Sequence, residues 1–389
     1  MDFAFTEQQE MIRKEVSALA RSFSLDYWHE KDRKAEYPVE FIEAFRKNGW
    51  LGIVIPEEYG GSGLGVTEAS ILLHEICAAG AGTSGASPIH FYVFPPMPLI
   101  KHGSEALKRR FLPRIAAGEI IMSFGVTEPN AGTDTSRIQT RAEKKGDRWV
   151  INGRKVWTTN AQHATRILLL ARTTPREEVA AKPFKGMTLF FADFDRSRIT
   201  VREIEKLGRA AVDSNEIFID NLEVPEEDVV GQVGEGFYHL LDSLNPERIL
   251  TGIEAVGIGK AALERAVQYA KERVVFDRPI GKNQAIAHPL AQAWAGLETA
   301  ELMCWKAAWL FDHGRPCGAE ANTAKLMAAE AGFEACDVAL QTFGGYGYAK
   351  EFYVERLWRE IRLYKIAPVS QQMALNYLSE HVLGLPKSY

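Results

Sequence analysis

Cysteine is scarce in this chain: Cys77, Cys304, Cys317 and Cys336 are the four in 389 residues, with no Cys-x-x-Cys pair and no histidine at zinc-like spacing. That excludes a disulfide scaffold and a structural zinc site, and leaves four reduced thiols in the core or on the surface. Positive charge is not in excess, since 46 basic residues face 51 acidic ones for a net charge of -5, so the electrostatic grip that nucleic acid requires is missing. Apolar runs such as 167–171 fall far short of the roughly 18 residues of a membrane span. The opening Met1-Asp2-Phe3-Ala4-Phe5-Thr6-Glu7 has no basic, apolar and cleavage regions in succession, which makes the cytoplasm the expected location. Also missing are a Gly-x-Gly-x-x-Gly turn between strand and helix, a Walker loop, a Gly-x-Ser-x-Gly elbow and a His-Glu-x-x-His helix. Nicotinamide-type dinucleotide binding and the common hydrolase chemistries are therefore unsupported.

What is present is an ordinary globular composition, 46% apolar and 25% charged, in a chain long enough for two or three domains. Residues 1–120 read as an N-terminal α-helical domain, with Met11, Ile12, Val16, Leu19, Ala20 and Phe23 at three- and four-residue steps. Loops interrupt it at 56–65 and at Pro95-Pro96. Residues 121–228 read as a middle β domain, with strand-like runs at 148–151, 155–159, 166–171, 187–194 and 216–219. Within it, Asn152-Gly153 predicts a hairpin turn between the first two runs. Residues 229–389 return to long helical patterns. The fold class is α+β and multi-domain, in the order α, β, α.

Three segments carry candidate chemistry. Phe124-Gly125-Val126-Thr127-Glu128-Pro129-Asn130-Ala131-Gly132-Thr133-Asp134 is either a plain turn-rich loop or a cradle of N–H and hydroxyl donors. Lys155-Val156-Trp157-Thr158-Thr159-Asn160-Ala161 is either a core strand or an aromatic cover with a hydroxyl beside it. Gln341-Thr342-Phe343-Gly344-Gly345-Tyr346-Gly347-Tyr348 is either a helix stop or a close backbone approach to a ligand. His74, His90, His102, His163 and His288 share no motif, and no histidine receives a role. The stretch 88–98, rich in proline and aromatics, reads equally as core or as the wall of a cavity.

In this order and spacing, with Thr140-Arg141-Ala142-Glu143-Lys144-Lys145-Gly146-Asp147, Lys206-Leu207-Gly208, Gly234-Glu235-Gly236-Phe237 and Arg273-Val274-Val275-Phe276 before Pro279-Ile280 and Gln284, the chain resembles the flavin-dependent acyl-CoA dehydrogenase family over nearly its whole length. The resemblance implies an N-terminal helical domain, a middle β-barrel-like domain and a C-terminal four-helix bundle domain. It implies FAD as cofactor, with Phe124, Val126 and Thr127 at the flavin, Trp157 and Thr159 on its N5 side, and Thr133 toward the thioester. It implies a homotetramer whose FAD crosses a subunit boundary. Arg273, Val275, Phe276 and Gln284 would then reach one subunit's FAD, Gln341, Gly344 and Gly345 another's, with Ser370 and Gln372 near the nucleotide end. An acyl-CoA is the implied substrate, a 2-enoyl-CoA the product, and an electron-transferring flavoprotein the acceptor.

The chain departs from that pattern where many members carry a C-terminal Glu-Gly-Thr. Here Ile366-Ala367-Pro368-Val369-Ser370 places Pro368 at the glutamate's position, and proline takes no proton. Removing a weakly acidic α-proton needs a positioned base. The resemblance supplies Glu247 in Leu244-Asn245-Pro246-Glu247-Arg248-Ile249, since a second branch keeps its glutamate just before the helix arginine. Read alone, Glu247 is a solvated acid near a Pro-marked helix start or kink. Glu254 is the reserve, Arg248 either neighbours CoA or forms an exposed helix ion pair, and the Val369 N–H is the candidate donor to the thioester carbonyl. Two rivals stand beside the dehydrogenase: a flavin monooxygenase or oxidase on the same fold, and a catalytically silent flavin-binding subunit.

Overall fold

The computed structural model describes residues 3–388, so the reading of Met1 and Asp2 lies outside the described residues. The N-terminal helices are α1 (Glu7–Arg21), α2 (Leu25–Lys34), α3 (Val39–Lys47), α4 (Val66–Ile76), α5 (Gly82–His90), α6 (Pro96–His102) and α7 (Glu105–Ala116). Their starts follow the chemistry of helix ends. Thr6 accepts from the Gln9 N–H at 3.2 Å while the Gln9 side chain accepts from the Thr6 N–H at 3.0 Å, a reciprocal cap at the head of α1.

The middle domain is a mixed sheet of β1 (Met122–Gly125), β2 (Arg141–Lys145), β3 (Arg148–Thr159), β4 (Arg166–Arg172), β5 (Met187–Asp193), β6 (Ile199–Glu203), β7 (Ser214–Pro225) and β8 (Val229–Val230). The order is β6-β7-β3-β2-β4-β5-β8, with β1 parallel to β4. No pairing among the described residues joins β6 to β8, so the barrel-like domain is an open sheet. Strand β4 explains its own unbroken apolar sequence. Ile167, Leu169 and Ala171 enter one core, whereas Leu168 and Leu170 enter the helical core on the opposite face.

The expected Asn152-Gly153 hairpin is not there. Both runs belong to the single strand β3, and the register against β7 shifts between Ile151 and Gly153, which marks an irregularity rather than a turn. The reversal lies earlier, at Gly146 with φ of 63°, between β2 and β3. Gly153 answers a steric demand instead: a Cβ there would stand 2.4 Å from Thr140 Oγ1.

The C-terminal region is built on three long helices, α8 (Gly236–Glu272), α9 (Gln284–Asp312) and α10 (Gly318–Phe343), followed by α11 (Val354–Ile361) and α12 (Gln371–Tyr377). A short hairpin of β9 (Val274–Val275) and β10 (Arg278–Pro279) separates α8 from α9. Alanines and glycines let the long helices approach closely: a Cβ on Gly259 would meet Gly332 Cα at 3.0 Å and Leu297 Cδ2 at 2.6 Å. All four cysteines are free and buried. Among the described residues no helix is long and apolar enough to cross a membrane.

One buried ion pair fixes the break between α4 and α5. On α11, Arg356 and Glu360 pair at 2.9 Å, both almost fully buried. Arg356 donates to the carbonyls of Gly80 and Ala81, where α4's continuation ends. Glu360 accepts from the Ser84 N–H at 3.2 Å, the Ser84 hydroxyl at 2.7 Å and the Thr83 hydroxyl at 2.8 Å, at the head of α5. The orphan donors and acceptors of two helix ends are thereby satisfied from one side chain pair. This sets the direction of α5, whose last residue is His90.

Candidate active site

The loop after β1 is held to β3 by a buried lysine. Lys155 has no exposed surface, and its Nζ donates to the Val126 carbonyl at 3.0 Å and to Glu128 Oε1 at 2.8 Å. Glu128 also accepts from the N–H groups of Gln139 at 2.6 Å and Thr140 at 2.9 Å. Burial pushes the Lys155 ammonium down to about 8 against the pull of Glu128. The Val156 N–H donates to the Thr127 carbonyl at 2.9 Å. Val126 and Thr127 are therefore carried on a rigid shelf beside Trp157 and Thr159. The Thr127 hydroxyl forms no hydrogen bond among the described residues, and Thr133 is exposed further along the loop.

Trp157 stands out in the sheet. It takes φ of 62° at the second irregularity of β3, between Lys155 and Thr158, and leaves 57% of its surface exposed. A bulky residue in the left-handed region costs on the order of 1–3 kcal/mol, a strain that concentrates at ligand sites. Two residues on, Thr159 is buried, and its Oγ1 accepts from Arg209 Nη2 at 3.2 Å.

Helix α8 carries Glu247. Protein surrounds the Glu247 carboxyl while part of its surface stays open, and no hydrogen bond reaches it among the described residues. Burial pushes it up to about 7, with His90, Arg248 and Lys325 pulling down and Glu254 pushing up. Arg248 Nη1 donates to Asn245 Oδ1 at 3.1 Å, and its Nε is buried without a partner. It forms no ion pair among the described residues, unlike the exposed helix pair that was its ordinary alternative. Glu254 is fully engaged, accepting from His90 Nδ1 at 2.8 Å and from the Tyr364 hydroxyl.

The third wall holds the Pro368 segment. Lys325, 1% exposed on α10, donates to the Val369 carbonyl. Burial pushes its ammonium down to about 8, with Arg248 acting in the same direction and Glu247 opposing. The Val369 N–H has no partner among the described residues. Ser370 Oγ caps α12 by accepting from the Met373 N–H at 3.4 Å, and Gln372 is exposed on that helix.

Phe124 completes the enclosure, its ring 4.9 Å from Phe94, which lies 5.7 Å from His90. Of the 88–98 stretch, Tyr92, Val93 and Phe94 are core, whereas His90 belongs to the site. Sequence reasoning passed over His90, Tyr364, Arg209 and Lys325. A signal existed for Lys325 alone: it is a charge on the alanine face of Ala321, Ala324 and Ala328.

A second group of expected residues lies elsewhere. Arg273, Val275, Phe276, Gln284, Gln341, Gly344 and Gly345 gather in one region, all of them exposed. Arg273 lies over the Tyr346 ring at 5.6 Å, and Phe276 stands at the hairpin tip with 92% of its surface exposed and φ of 52°. A Cβ on Gly344 or Gly345 would meet nothing within 4 Å. Along α8 and its C-cap, the 26 residues from Glu247 to Arg273 span about 39 Å.

Comparison with known proteins agrees with this architecture. Residues 6–119 match the N-terminal domain of acyl-CoA dehydrogenases, 123–222 the middle domain and 234–383 the C-terminal domain. The acyl-CoA dehydrogenase FadE12 of Mycobacterium bovis is 38% identical over 392 residues, covering 100% of this chain and 99% of that protein. Glutaryl-CoA dehydrogenase of Desulfococcus multivorans is 33% identical over 393 residues, covering 100% of each. Among solved structures, a glutaryl-coenzyme A dehydrogenase with glutaryl-CoA superposes with a TM-score of 0.94 at 32% identity, over 100% of this chain and 98% of that one. Butyryl-CoA dehydrogenase of Megasphaera elsdenii gives 0.93 at 30% identity, over 98% and 100%. The chain is a member of the acyl-CoA dehydrogenase family of oxidoreductases.

Proposed function

We propose that the protein removes the α-proton and the β-hydride of an acyl-CoA thioester to give a trans-2-enoyl-CoA, with Glu247 as the base. The observation that carries this is the state of Glu247: an enclosed, unbonded carboxyl held up to about 7, beside an engaged neighbour, Glu254, that has no free oxygen to offer. A base whose pKa lies near the working pH is suited to abstracting a weakly acidic proton. The Val369 N–H, with its carbonyl anchored by Lys325, donates to the thioester oxygen as enolate charge develops. Arg248 and Thr133 serve the CoA side.

FAD fits the residues present. Trp157, exposed at a strained position, supplies an aromatic flank, and Phe124, Val126, Thr127 and Thr159 border the same shelf. FAD bound there would supply the hydride-accepting chemistry. The open backbone at Gly344 and Gly345 leaves room for close approach of the nucleotide end, together with Arg273, Val275, Phe276, Gln284 and Gln341. Since Arg273 lies about 39 Å along α8 from Glu247, these residues serve the FAD of other copies, which calls for an oligomer, a homotetramer in our reading. Ser370 and Gln372 border the nucleotide. An electron-transferring flavoprotein takes the electrons onward, in the cytoplasm, and the domains divide as 1–120, 121–228 and 229–389.

The test is an anaerobic absorbance titration of the holoprotein with short, long, branched and cyclic acyl-CoAs. Bleaching of the flavin band with formation of an enoyl-CoA is expected. Rapid oxygen uptake with hydroxylation, or a flavin band that no thioester bleaches, would overturn the reading in favour of a monooxygenase or a silent subunit.

A further inference from the structure

Two carboxylates share one face of α8, Glu247 and Glu254, seven residues and about 10 Å apart. Proton abstraction uses the first. The second anchors a set of buried polar groups with no task in that step. Glu254, His90 and Tyr364 are 2%, 5% and 4% exposed. With both oxygens of Glu254 engaged, the imidazole is fixed through Nδ1, and its Nε2 has no hydrogen-bond partner among the described residues. Burial disfavours charge on His90, but the Glu254 carboxylate outweighs it and raises the imidazole's pKa above the ordinary range.

This histidine neighbours Glu247 and the Phe94–Phe124 pair. Its charge and that of Glu247 act on each other, and its neighbour Phe94 meets Phe124. Arg209 ties the same space to the flavin shelf. It donates to Ser87 Oγ at 3.2 Å, one turn before His90, to Thr159 Oγ1 at 3.2 Å and to Ser214 Oγ at 2.7 Å. It forms no ion pair among the described residues, and its Nε is buried without a partner. A plain hydrocarbon chain packed against His90 would cover Nε2 and leave it unbonded, which buried polar groups tolerate poorly.

Resting on the dehydrogenase reading above, we propose that His90, oriented by Glu254 and Tyr364, recognises an oxygen function on the acyl chain beyond the β-carbon. The preferred substrates are acyl-CoA thioesters carrying a hydroxyl, carbonyl or carboxylate there. His90 is a specificity residue, not the base.

The experiment compares matched thioesters of roughly five to eight carbons that differ only in ending as methyl, hydroxyl or carboxylate, read as kcat/KM for anaerobic flavin bleaching. At the best chain length an oxygenated member is expected to exceed its methyl partner by about 10-fold or more, because a site with an unsatisfied polar group discriminates against the analogue lacking its partner. His90→Leu is expected to bring the ratio near one by raising the methyl member. Tyr364→Phe, which preserves the ring and its packing, is expected to narrow the ratio without abolishing bleaching. Methyl-ended thioesters that match both oxygenated series, or a ratio unchanged in Tyr364→Phe, would overturn the assignment while leaving the dehydrogenase intact. If no member bleaches the flavin, it is the dehydrogenase reading that falls.

Discussion

The two ends of helix α8 are opposites. Around Glu247, charged groups lie inside the protein with orphaned atoms, among them Arg248 Nε and Arg209 Nε. Around Arg273 the reverse holds: Val274, Phe276 and Tyr348 are exposed by 55%, 92% and 85%, where solvent gives an apolar surface nothing. Both ends break the ordinary rule for their side chains. A buried polar group asks for a bound partner, and an exposed aromatic cluster asks for cover. In the function proposed above, the first end serves chemistry and the second holds a cofactor between copies.

The sharpest way to separate the ends is Glu247→Gln. Loss of the base is expected to slow anaerobic flavin reduction by about 10²–10⁴-fold with FAD content unchanged. Comparable reduction by the variant would move the base elsewhere and remove the contrast.

Next in size is the brace that sets α5. Glu360→Ala strands Arg356 and the head of α5, and is expected to cost about 3–5 kcal/mol in denaturant unfolding. A loss below about 1 kcal/mol would mean that packing alone directs α5.

At the far end, Phe276→Asp should leave the chemistry at Glu247 untouched within each assembled site. It is expected to weaken FAD retention on the order of 10-fold and to shift the protein to a smaller species on size-exclusion chromatography. Unchanged elution and FAD content would make the exposed end an ordinary surface.

The smallest effect is in stability against pH. Because burial raises the Glu247 carboxyl from 4.5 to about 7, the folded state holds that proton more tightly than the unfolded state. Its contribution to stability is present below the unfolded pKa and lost as pH rises through about 7. Glu247→Gln should therefore have a Tm above that of the native protein at pH 8 by a few degrees, and no such advantage at pH 4. Activity should move the other way, rising with pH through about 7 as the carboxylate forms. A Tm difference that does not vary with pH would show that Glu247 is solvated.

Much of the fold was legible because its signals are local. The strand run at 166–171 and the break at 56–65 appear where residue type predicts. Asn152-Gly153 misled because the dipeptide describes what a turn permits, whereas Thr140 decided that the position needed a missing side chain within an unbroken strand. Strands β1, β2 and β6 were not read as strands. Arg141 to Lys145 is too charged to carry an apolar alternation, and pairing with β3 makes it a strand. In the candidate site, Glu247 and Trp157 were expected from a family pattern, while His90 and Tyr364 have no sequence signal: they lie 164 and 110 residues from Glu254, and only packing joins them.

By itself the sequence determined the order of helical, β and helical regions and the family, since periodicity and motif spacing are properties of neighbours along the chain. The tertiary structure decided which carboxylate is free and which is bound, which lysines are buried, and that Glu247 and Arg273 stand about 39 Å apart along one helix. Burial and charge proximity set those outcomes, and both depend on distances that only the folded chain possesses.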